Sequence, residues 1–169
     1  MNWSAVGAVG EILGAFAVVA TLGYLAVQIR QNTRTERASS RQTILDTFYS
    51  SVWDTARDVE LRKITILGLK QYGEMEPDEA AAFHFVQLRY VGNLYNALLL
   101  RDSGSLDEES FQVIANAFVG GLLTPGGGEW WAVASEGNGV PPSVKRYIEQ
   151  RLQADAEVPL WQDVLPVLK

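Results

Sequence analysis

Apolar side chains run almost without interruption through residues 3–29, WSAVGAVGEILGAFAVVATLGYLAVQI, and Glu11 is the one ionisable side chain in them. A spanning helix needs roughly 20 mostly apolar residues at about 1.5 Å each. Val6, Val9, Ile12, Leu13, Phe16, Val18, Val19, Leu22, Leu25 and Val27 together contribute on the order of −3 to −6 kcal/mol to insertion, and a charge at the helix centre costs roughly +2.5 to +3.5. Glu11 lies off-centre and costs less, so the pattern predicts a transmembrane anchor over residues 1–32. A cleaved signal peptide would carry a basic segment ahead of a shorter apolar core, and no Lys or Arg precedes Arg30. A core helix of a soluble protein fits less well with the polarity step at Gln28-Ile29-Arg30 and with Trp3 and Tyr24 at the ends of the run.

Past the anchor, over residues 33–169, the period becomes that of amphipathic helices. Gln42, Ile44, Leu45, Phe48, Tyr49, Val52 and Trp53 form one stripe, and Asp58 reads as a restart leading to Ile64, Leu67 and Leu69, with Gly73 as a stop. Pro77-Asp78-Glu79 starts a helix expected to reach about Arg101, its face being Ala81, Phe85, Leu88, Gly92, Tyr95 and Leu99, widened by Val91, Leu94 and Leu98. Ser105 with Glu108 reads as a capping box, followed by a buried face of Phe111, Ile114, Ala115, Phe118, Val119 and Leu122. Residues 124–128 (TPGGG) read as a loop, Glu129-Trp130-Trp131 as the start of a short helix, and residues 144–152 as another, with Trp161, Val164 and Leu165 in a tail able to dock. No strand alternation is present. The fold class expected is all-α: one N-terminal transmembrane helix continuing into a small cytoplasmic helical bundle.

Charge sets the orientation. Arg30, Arg34, Arg37 and Arg41 follow the run closely, so the positive-inside rule puts the N-terminus outside and the bulk of the chain in the cytoplasm. These arginines serve as topology determinants or lie against anionic lipid. The net charge is −6, and with the basic residues gathered here the remainder is acidic, which disfavours nucleic acid as a partner.

The chemistry on offer is sparse. Cysteine is absent and His84 is the single histidine, which argues against disulfides, thiolate or histidine-rich metal sites and a Ser/Cys–His dyad. His84 reads as a packing or surface residue, and Asp107, Glu108 and Glu109 as first-turn acids. The glycine loop lacks the Lys-Ser/Thr and preceding strand of a phosphate cradle. No catalytic residue, cofactor or metal is therefore expected. Of the adjacent Trp130 and Trp131, one ring facing outward would suit a partner, although core packing of both fits better.

Glu11 belongs to a pattern. Steps of three and four from Ser4 pass through Gly7, Glu11, Gly14, Thr21 and Gln28, a seam of small and polar residues. In lipid such seams mark helix–helix contact. The functional expectation is a membrane-anchored adaptor or accessory subunit whose seam packs on other transmembrane helices, its own copies or those of a larger complex. A homo-oligomeric pore with a cation-favouring Glu11 ring is the alternative. An enzyme built on carboxylates is a weaker one, because no pair of acids stands out.

The segments Ala8-Val9-Gly10-Glu11, Gly14, Thr21-Leu22, Tyr24-Leu25-Ala26 and residues 28–33 (QIRQNT) resemble the N-termini of a widespread group of bacterial single-pass inner-membrane proteins. Thr124-Pro125-Gly126, Trp130-Trp131 and Tyr147 are similar too. The resemblance implies an inner-membrane anchor with a small helical domain and carries no activity with it.

Overall fold

The computed structural model describes residues 3–154, with side chains for Glu11, Leu13 and Gly14 and from Phe16 onward. Among them all regular elements are helical, as the pattern predicts. They are α1 (Trp3–Arg57), α2 (Val59–Gln71), a 3-10 turn (Tyr72–Glu74), α3 (Pro77–Asp102), α4 (Glu108–Leu122), α5 (Pro125–Ala134) and α6 (Pro142–Gln153). Contacts divide the chain into two units, Met1–Ser39 and Ser40–Lys169.

The first unit does not supply the expected membrane span within the described residues: no helix there is long and apolar enough to cross a bilayer. The described apolar stretch that runs unbroken begins at Phe16 and gives way to Arg30. Its length is about 21 Å at 1.5 Å per residue, against a hydrocarbon core of about 30 Å. The side chains of Trp3, Ser4, Gly7 and Ile12, which the anchor reading also needs, lie outside the described residues, as does the tail from residue 155.

The second unit is held by a core in which Phe83, Leu94, Ala97, Phe111, Ala115, Trp130, Val144 and Ile148 are fully buried. Helix starts follow from capping chemistry. The Asp58 carboxylate accepts from the Glu60 and Leu61 backbone N–H groups at 2.9 and 3.0 Å and opens α2. Glu76 and Glu79 form a reciprocal capping box ahead of α3, with Pro77 in the first turn.

Three sequence expectations are corrected here. The cap of α4 is Asp107, not Ser105. Gly104 takes the left-handed φ of 68°, and the Ser105 and Leu106 N–H groups both return to the Leu100 carbonyl, so the chain is still closing α3 at Ser105. The face of α3 is rotated: Phe83, Val86, Gln87, Val91, Asn93, Leu94, Ala97 and Leu98 point inward, while Phe85 and Leu99 are exposed. That helix is apolar on most sides, so its period alone did not select a face. In the same way Tyr49 and Trp53 point outward from α1, where Ile44, Phe48, Ser51 and Thr55 are buried.

The third concerns residues 124–128, which are not a loop. Thr124 caps α5, accepting from the Gly127 N–H at 3.2 Å and donating to the Gly121 carbonyl at 2.7 Å, and the three glycines form the first turn. A Cβ at Gly126 would overlap the Gly68 carbonyl oxygen and lie 2.8 Å from the backbone nitrogens of Gln71 and Tyr72. One at Gly127 would overlap the Gly121 carbonyl, and one at Gly68 the ring of Phe83. Gly126 is there because the backbones of α2 and α5 touch, Gly127 because the end of α4 closes on it, and Gly68 because the Phe83 ring lies against it.

The Asp107 cap yields a pH prediction. The Ser110 backbone N–H donates to its carboxylate at 2.9 Å and holds its pKa below the ordinary carboxylate value, with the Ser110 hydroxyl and Arg41 acting in the same direction against partial desolvation. A carboxylate whose pKa is lower in the folded state stabilises that state above the unfolded pKa, and the contribution is lost as pH falls through the folded one. Thermal unfolding of Asp107→Ala is therefore expected to show a melting temperature below that of the parent near pH 7, with the gap closing below about pH 4. A gap that stays constant with pH would remove the charge from the explanation.

Candidate functional site: the uncovered stretch of α1

An amphipathic helix buries its apolar stripe and leaves a polar face to water. The first part of α1 departs from this rule. Leu13, Phe16, Val19, Leu22, Tyr24 and Ile29 are each at least 60% exposed, and Val18, Leu25 and Val27 are exposed as well. At 100° per residue these positions cover most of the circumference, and the one remaining sector, about 100° wide, holds Gly14, Thr21 and Gln28.

Of the expected seam, Ser4 and Gly7 lie outside the described side chains, while Glu11, Gly14, Thr21 and Gln28 are exposed. A Cβ added at Gly14 would meet nothing within 4 Å. The Thr21 hydroxyl donates to the Ala17 carbonyl at 2.8 Å, which leaves its oxygen lone pairs, and not its proton, to face outward. Arg30, Arg34 and Arg37 follow, all exposed.

Arg41 separates from the other three. Its Nε lies 3.0 Å from Asp107 Oδ2, so in the second unit it is the partner of a helix cap rather than a free basic group. Trp130 and Trp131 are corrected as a partner contact. They are 0% and 8% exposed, tilted against one another and edge-on to Phe118, so neither ring faces outward.

Two polar clusters in the second unit had no sequence signal strong enough to name them. Trp130 Nε1 donates to His84 Nδ1 at 3.1 Å, which makes the histidine a core acceptor with its ring against the indole. Between α1 and α3, Arg89 Nη2 donates to the Ser51 carbonyl at 2.9 Å and to the Thr55 hydroxyl at 2.7 Å, its Nη1 lies 3.6 Å from Asp54, and Asn93 donates to the Ser51 hydroxyl at 3.2 Å. Ser51/Thr55 and Arg89/Asn93 are both i,i+4 pairs on inward faces, and that spacing is the only trace they leave in the sequence. Tyr90 joins this seam. Burial raises its pKa, opposed by the Thr55 hydrogen bond and by Arg89.

A cavity lined by Thr65, Leu69, Gln87, Tyr90, Ala117, Phe118 and Gly121 gives a water-sized sphere only about 20 Å³, enough for a single water. Among the described residues no group of three or more His, Cys, Asp or Glu could hold a metal ion. Asp107, Glu108 and Glu109 lie at the α4 N-terminus, where Asp107 caps the helix and the two glutamates occupy its first turn. No protein-family model, curated protein or solved structure matches the chain.

Proposed function

We propose that this protein is a membrane-anchored interaction protein, an adaptor or accessory subunit that packs the start of α1 against lipid and other spanning helices. One observation carries the reading: the described large apolar side chains of residues 13–29 are all exposed and cover most of the circumference of α1, with Gly14, Thr21 and Gln28 in the remaining sector. Contiguous apolar surface on this scale marks a protein or membrane contact. The sequence extends the same character back to Trp3, and α1 is helical from there. About 40 Å of helix separates Trp3 from Ile29 at 1.5 Å per residue, enough for a tilted span once the upstream side chains are counted. The arginines after Ile29 favour an N-terminus outside and a C-terminal unit inside a bacterial inner membrane.

The open face at Gly14, beside Glu11 and Thr21, is where a second helix approaches closely. The test is carbonate extraction of membranes carrying the full chain, followed by chemical crosslinking in mild detergent. The chain is expected to stay in the carbonate pellet and to crosslink to itself or to another membrane protein, and Gly14→Leu is expected to cut crosslinking severalfold without releasing the chain. Recovery in the carbonate supernatant would end the membrane reading. A strictly monomeric, partnerless chain in detergent would end the interaction reading.

A further inference from the structure

The arginines after the apolar stretch are arranged, and the arrangement is informative. At 3.6 residues per turn Arg30, Arg34 and Arg37 fall within about 60° of one another around α1. All three are exposed, and no ion pair among the described residues involves them. Glu36, the one acid among residues 30–39, is turned about 120° from Arg30. A chain with a net charge of −6 thus carries a basic ridge on a single helix face, directly after its longest apolar run.

We infer that this ridge is a binding surface for the headgroups of anionic phospholipids, with α1 leaning its arginine face toward the bilayer surface. The inference rests on the membrane reading above. Arg37 lies about 12 Å of axis beyond Ile29, further than the headgroup layer of roughly 5–7 Å. An upright helix would bring Arg30 and, by the reach of its side chain, Arg34 to the phosphates and would leave Arg37 beyond them. Three arginines scattered around the axis could not be improved by leaning, since lowering one would raise another. Three on one face descend together at an ordinary tilt of about 20°, and their long side chains reach back over the rest. Guanidinium forks match phosphate oxygens with paired hydrogen bonds, which lysine cannot do. Arg41 is not part of the ridge, because Asp107 already holds it.

The experiment uses the full chain purified in neutral detergent and titrated with short-chain phosphatidylglycerol or phosphatidylcholine, with bound lipid counted by native mass spectrometry. Phosphatidylglycerol is expected to bind in preference, by about fivefold for each arginine in contact, or about a hundredfold for three. That preference is expected to collapse in Arg30→Gln/Arg34→Gln/Arg37→Gln, to survive in part in the triple lysine variant, and to fall as salt is raised. Equal retention of the two lipids by the parent chain, or an undiminished preference in the triple glutamine variant, would overturn the inference. So would inorganic phosphate binding at the same concentrations, or a nucleic acid or acidic protein displacing the lipid. These outcomes are separate from failure of the membrane reading, which is read by carbonate extraction and does not involve the arginines. Circular dichroism of the variants controls for folding, since all three side chains are exposed.

Discussion

Gly126→Ala is expected to unfold the helical unit or to lower its stability by about 3 kcal/mol or more. Overpacking a core ordinarily costs about 1–3 kcal/mol, because side chains can give way. Here the added methyl meets only backbone: the Gly68 carbonyl oxygen and the amide nitrogens of Gln71 and Tyr72. Relieving the overlap means separating α5 from α2, and with it Trp130 and Trp131 from the core. The matched control is Gly92→Ala. Gly92 also sits inside a helix, but a Cβ there meets nothing within 4 Å, so alanine is expected to be neutral or to gain up to about 1 kcal/mol from propensity alone. Chemical unfolding of both variants, followed by circular dichroism, reads the difference. Similar midpoints for the two would show that the α2–α5 contact is not as close as the backbone places it.

The second large effect is expected at Trp130. The side chain is fully buried, with its ring centroid 5.9 Å from His84, 6.4 Å from Phe118 and 6.2 Å from Trp131. Trp130→Ala should cost about 3–5 kcal/mol, the range for removing a large core aromatic. Trp130→Phe separates packing from polarity. It keeps most of the apolar contact and removes the indole N–H, leaving His84 Nδ1 without its donor, and should cost about 1–3 kcal/mol in all. If Trp130→Phe and His84→Phe each destabilise while the double variant costs no more than either alone, the hydrogen bond is the shared cause. Strict additivity of the two would contradict that.

The helices and most of their starts can be read from the sequence because they rest on local chemistry. Pro77 with its acids, and Asp58 ahead of Glu60, act within one turn. The buried face of α4 is legible for the same reason: Phe111, Ile114, Ala115, Phe118, Val119 and Leu122 stand out against polar neighbours and are all buried. Legibility ends where the decision is made by a distant element. Three consecutive glycines favour a loop by propensity, yet Thr124 caps them into a helical turn, and the backbone of α2, more than fifty residues from Gly126, leaves that position no room for a side chain. The α3 face was misplaced because almost any face of that sequence is apolar, and the elements packed on it choose which is buried. Arg41 looks like its three neighbours until Asp107 folds against it.

The apolar character of the candidate surface is directly legible, whereas its exposure, rather than burial in a core, is decided by what the rest of the chain packs against. The polar clusters at Arg89 and His84 were not legible, because each joins residues at least 34 positions apart.

The hydroxyl groups of α1 bear on what a neighbour would detect. Thr21, Thr33, Thr35, Thr47, Ser51 and Thr55 each donate to the carbonyl four residues back. The sequence lists these residues as polar, yet along the whole helix their protons are turned onto its own backbone. A molecule approaching the Thr21 side meets a methyl group and a weak acceptor, and no donor. Donation by the Thr21 hydroxyl to a neighbouring molecule is closed while that bond holds. Beside Thr21 the helix offers the open contour at Gly14, and positive charge follows at Arg30, Arg34 and Arg37.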